Sequence, residues 1–109
     1  MKIEKETVFG NWEEYTLTND QNMSVSVLNY GAIITKILVP DRNGKLENIV
    51  LSFKDYQDYK TNPNYFGAII GRVAGRIQDA SFDIAGTTFS LAANDGNHHL
   101  HGGSAGLHQ

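Results

Sequence analysis

"MSVSVLNYGAIITKILVPDRNGK", residues 23–45, decides the fold. Met23, Val25 and Val27 alternate with Ser24 and Ser26, which is the period of a half-buried strand. Asn29-Tyr30-Gly31 reads as a turn, and the β-branched run "AIITKILV" follows as a second strand. Pro40-Asp41-Arg42-Asn43-Gly44 then signals a sharp reversal, because proline presets φ and Asn-Gly tolerates the left-handed region. Outward from this hairpin, "EEYTLTN" (13–19) sets Tyr15 and Leu17 against polar neighbours, and "ENIVLSF" (47–53) is a further apolar run. Residues 22–53 therefore read as three antiparallel strands joined by short turns, with a compatible strand before them.

Downstream, "KDYQDYKTNPN" (54–64) is short and stopped by Pro63, so it predicts one helical turn or an ordered loop. "YFGAII" (65–70) reads as a buried strand. "SFDIAGTTFSL" (81–91) carries Phe82 and Ile84 on one arm and Phe89 and Leu91 on the other, with Gly86 marking a hairpin between them. Frequent short strands with Gly-rich turns predict an all-β chain, a sandwich or a barrel.

The bulk numbers bound the function. The 109 residues suffice for one small domain, residues 1–109, and 40% hydrophobic content can build a core. The net charge of −3 comes with no basic block, which argues against nucleic acid as a partner. No apolar run reaches the length of a membrane span, and the N-terminus lacks the apolar stretch of a signal peptide. A cytoplasmic location, with neither membrane nor nucleic acid as partner, is the expectation. The chain has no cysteine, which removes disulfides and thiolate metal sites.

Two stretches carry candidate chemistry. "GRVAGRI" (71–77) follows the apolar run and holds Arg72 and Arg76 among glycines. It is neither a dinucleotide loop nor a P-loop. Its arginines are either solvated and paired with surface carboxylates, or one of them presents its donors to a ligand. "NHHLHGG" (97–103) clusters His98, His99 and His101. On a strand, His99 and His101 would share a face, yet a metal needs a third ligand that the spacing does not offer. A plain polar loop is a second reading. A polyol site is the third: neutral imidazole donates from one nitrogen and accepts at the other, and Gly102-Gly103 lets backbone approach a ligand.

The ordered series "NYGA", "VPDRNGK", "IVLSF", "GRVAGRI", the Phe82–Leu91 hairpin and "LHGG" resembles the aldose 1-epimerases, also called galactose mutarotases. It runs from about Asn29 to Gly106. The resemblance implies an antiparallel β-sandwich of the galactose mutarotase type, of which this chain is the incomplete N-terminal part. It implies interconversion of the α and β anomers of hexoses by acid–base ring opening, with a hexose as partner and no metal or organic cofactor. It makes Arg76, His101 and Gly75 substrate-binding residues. Gly75 stands where many members carry Asn. Arg72 and His99 are weaker candidates with a supporting role, and Asp95 and His98 fall on the loop surface. The family's catalytic His and Glu are expected beyond residue 109, so the isolated chain is expected to be inactive. Two other readings stay open: a non-catalytic carbohydrate-binding sandwich module, and a hexose-phosphate epimerase. Unpaired strand edges of a partial sandwich also predict self-association.

Overall fold

A computed structural model describes residues 1–107. They form two compact units, residues 1–69 and residues 70–107. The first unit is a five-stranded antiparallel meander. Its strands β1 (Lys2–Phe9), β2 (Trp12–Thr18), β3 (Ser24–Leu28), β4 (Ile34–Pro40) and β5 (Leu46–Asn48) pair in sequence order. The predicted β2, β3 and β4 are present, with turns at residues 29–32 and 42–43 as the residue types require. Strand β1 has no apolar alternation to announce it. It is an outer strand, and its Lys2, Glu4, Lys5 and Glu6 are exposed.

Register assigns the two faces of this sheet. Ile3, Leu17, Val25 and Ile37 stand opposite one another in turn across four strands. The other face carries Glu14, Thr16, Ser26 and Lys36. Around the sheet's end, Trp12, Leu28, Ile33 and Tyr59 form the core, with Phe9, Tyr30, Phe53 and Tyr56 packed against them. Trp12 stacks on Tyr30 at 4.0 Å between ring centroids and meets Phe9 edge-on at 5.3 Å.

A carboxylate lies inside this end. Glu14 is 3% exposed. It accepts hydrogen bonds from the Thr35 hydroxyl and from the Tyr56 hydroxyl at 2.5 Å. Thr35 reaches it because the β3–β4 ladder slips between Ser26 and Val27, making Thr35 the extra residue of a bulge. Burial first, and the Glu14 carboxylate second, push the Tyr56 phenol well above its ordinary value of 10.0. The folded state thus holds this proton more tightly than the unfolded chain. That contribution is complete below about pH 10 and is lost as pH rises beyond it. Melting temperature is therefore expected to hold up to about pH 10 and to fall progressively above it. Tyr56→Phe should make the drop shallower, and an equally steep drop in that variant would refute the assignment.

Two predicted strands differ from expectation. "ENIVLSF" contributes only Glu47 and Asn48 to the short β5, and Ile49 and Leu51 are 63% and 73% exposed. The Asn48 side-chain oxygen accepts the amides of both Ile37 and Val50, which ends the ladder by replacing its backbone partner. "YFGAII" is a loop. Buried Asn62 binds both backbone groups of Phe66, its oxygen taking the N–H at 2.8 Å and its nitrogen giving to the C=O at 3.0 Å. Tyr65 and Gly67 take φ of 55° and 62°, outside the extended region. The segment before it is a short 3-10 helix, Tyr56–Lys60, in line with a single helical turn.

The second unit is built from two small ribbons. Strands β6 (Arg76–Ile77) and β9 (His99–Leu100) pair antiparallel, as do β7 (Ser81–Ile84) and β8 (Thr87–Ser90). The latter is the predicted hairpin: Gly86 sits in its turn at φ 81°, and Phe82 stacks on Phe89 at 5.3 Å. The chain is all-β and antiparallel, with helix limited to 3-10 turns among the described residues.

Candidate functional site

The second unit brings the two glycine-rich motifs together. In the β6–β9 ladder Arg76 stands opposite Leu100, and Ile77 opposite His99. The ladder then continues in another form. The His101 N–H donates to the Gly75 carbonyl at 3.0 Å, and the Gly75 N–H donates to His101 Nδ1 at 3.1 Å. Gly75 therefore holds both the backbone and the ring of His101. An accepting Nδ1 places the neutral ring's proton on Nε2, where it is a donor. Gly75 takes φ 72°, and a Cβ built there would meet nothing within 4 Å. Its backbone needs glycine's freedom or asparagine's tolerance, while the space above it is open.

His99 and His101 do not share a face, contrary to the strand expectation. His101 leaves the strand at φ 51°, in the left-handed region. His99 turns inward, 6% exposed, with Nδ1 2.8 Å from the Ala92 carbonyl. A Cβ at Gly103 would lie 3.0 Å from His99 Cε1. Gly103 thus leaves room for the buried His99 ring. His98 is likewise engaged, its Nδ1 accepting the Asp79 N–H at 3.1 Å. Among the described residues no group of three His, Cys, Asp or Glu side chains could hold a metal ion.

Arg76 is exposed on the same ribbon, and its Nε donates to Asp95 Oδ2 at 2.5 Å. Sequence reasoning placed Asp95 on the loop surface and missed this contact. The loop is ordered by its own backbone: Asp95 and His98 form an isolated antiparallel bridge. Asn94 secures it to β9, its side-chain oxygen taking the Leu100 N–H at 2.8 Å and its amide giving to the Leu100 carbonyl at 2.9 Å. Arg72 is exposed. What results is a guanidinium and an imidazole anchored on adjacent backbone, both reachable from solvent.

Comparison with known proteins settles the family. The sequence profile described as aldose 1-epimerase matches residues 13–108. The chain belongs to the aldose 1-epimerase family. It is 42% identical to the aldose 1-epimerase of Lactobacillus helveticus over 90 residues, covering 83% of this chain and 66% of that one. It is 39% identical to the galactose mutarotase of Sus scrofa over 98 residues, covering 90% of this chain and 28% of that protein. Among solved structures, the aldose epimerase homologue from C. elegans superposes with a TM-score of 0.77 at 33% identity, over 85% of this chain and 29% of that one. The galactose 1-epimerase from Lactobacillus acidophilus gives 0.73 at 38% identity, over 94% and 30%. The chain therefore spans about 28% of the length of the longer relatives and forms part of their β-sandwich fold. Among the described residues no helix is long and apolar enough to cross a membrane.

Proposed function

We propose that this chain supplies the sugar-binding residues Arg76, His101 and Gly75 of an enzyme that interconverts the α and β anomers of hexoses such as galactose and glucose. In that reaction a general base takes the anomeric hydroxyl proton while a general acid protonates the ring oxygen. The ring opens to the aldehyde, the C1–C2 bond rotates, and the ring closes with the roles exchanged. Arg76 and His101 hold sugar oxygens through N–H donors, the guanidinium set by the Asp95 carboxylate and the imidazole by the Gly75 N–H. The acid–base pair itself is assigned to other parts of the mutarotase fold, and the location of such an enzyme is cytoplasmic.

The observation that carries this reading is the clamp of His101 by Gly75 beside Arg76. It joins the two family motifs in one place and commits His101 Nδ1 as an acceptor, which suits a fixed donor better than a proton shuttle. Titration of the chain with galactose, followed by NMR, tests it. Shifts at Gly75, Arg76 and His101 are expected at high millimolar sugar, and Arg76→Ala should weaken them roughly tenfold, the loss of one charge-assisted hydrogen bond. An undisturbed spectrum would refute sugar binding. Polarimetry on the same sample should show no acceleration of anomer exchange, and catalysis by this chain would overturn the placement of the acid–base pair.

A further inference from the structure

Asp95 stands out because it touches the binding arginine. Its carboxylate holds Arg76 through Nε, the inner donor of the guanidinium, at 2.5 Å. The terminal amino groups of Arg76 are the donors left to project outward. The pair is open to solvent, with side chains 60% and 40% exposed, so a ligand can reach it. Asp95 itself is not on a loose loop, since its N–H and C=O both bond His98. Residues 70–107 carry Arg72 and Arg76 against Asp79, Asp83 and Asp95.

We propose that Asp95 is a positioning and specificity-determining residue: it aims the Arg76 guanidinium and cancels its charge, so that the site takes an uncharged sugar hydroxyl and discriminates against a phosphorylated sugar. This rests on the sugar-binding reading above. A free arginine attracts any oxyanion, and phosphate most of all, because its fork matches two phosphate oxygens. An arginine already facing a carboxylate has spent that attraction and repels a second anion through the carboxylate. A neutral hydroxyl feels neither effect and keeps its hydrogen bond. The nearest charge thus separates the two sugar classes without any steric gate.

NMR titrations of the wild-type chain and Asp95→Asn decide this, with galactose, galactose 6-phosphate and inorganic phosphate as separate probes and the Arg76 Nε–H as reporter. Removing one charge about 4 Å from the ligand in water-like surroundings is expected to favour galactose 6-phosphate over galactose roughly fivefold. Inorganic phosphate should begin to shift Arg76 in the variant, and Asp95→Glu should restore the wild-type preference. A preference unchanged by Asp95→Asn, or a wild-type Arg76 that already responds to phosphate as strongly, overturns the proposal. A merely structural Asp95 would alter all three probes alike. If galactose leaves the wild-type spectrum unmoved, the sugar-binding reading falls, while the inorganic phosphate comparison still decides whether Asp95 screens Arg76.

Discussion

Gly67→Ala is expected to cost at least ~3 kcal/mol of stability. Two independent strains add at this position. Gly67 lies at φ 62°, where an L side chain costs about 1 kcal/mol. Its Cβ would also stand 2.0 Å from the Ile34 carbonyl oxygen and 2.9 Å from the carbonyl carbon. Those are backbone atoms at the start of β4 and cannot rotate away as a side chain would. Relief requires the loop to lift, which breaks the 2.9 Å hydrogen bond from the Ile34 N–H to the Gly67 carbonyl. Gly10→Ala is the control: φ is 56°, yet nothing lies within 4 Å, so about 1 kcal/mol is expected there. Urea denaturation of the two variants beside the wild type measures both. Equal losses would show that the close approach of Gly67 to β4 is not part of the folded state.

Gly67 also illustrates where sequence reading ends. "YFGAII" has the composition of a buried strand, and only a partner could reveal otherwise. That partner is Asn62, whose amide takes both backbone groups of Phe66 out of any ladder. The same competition by Asn48 stops β5, so both failed strands trace to a side-chain amide acting as a substitute backbone. The elements that were legible, β2 to β4 and the hairpin around Gly86, are those in which side-chain period and turn chemistry agree. At the site, the motifs named Arg76, His101 and Gly75, and the ladder makes them neighbours. The direction of His101 was not legible, because its left-handed φ depends on the two-way bond with Gly75. Nor was Asp95, since the bridge that delivers it joins residues with no apolar pattern.

The second large effect is expected inside the sheet. Glu14→Ala should destabilise the first unit by about 3 kcal/mol, through two lost charge-assisted hydrogen bonds and the space the side chain leaves. Coulomb attraction to Lys36 contributes little, because its ammonium is 3.6 Å away on a side chain 46% exposed. The weight rests on the two hydroxyls. Thr35 is 2% exposed, and its remaining acceptor, the Ser26 carbonyl, is 3.3 Å off, so its donor would lose its good partner. The Tyr56 hydroxyl loses a charged acceptor at 2.5 Å and must turn to water. Glu14→Gln keeps the volume and one acceptor oxygen, and should cost only about 1 kcal/mol. A double-mutant cycle between Glu14→Gln and Tyr56→Phe is expected to return a coupling of roughly 1 kcal/mol. Zero coupling together with a mild Glu14→Ala would mean that the carboxylate is solvated and the bulge at Thr35 does no more than bend the strand. A coupling of the expected size identifies what the bulge accomplishes: it adds Thr35 to the buried face, and so makes a carboxylate tolerable among Trp12, Leu28 and Tyr59.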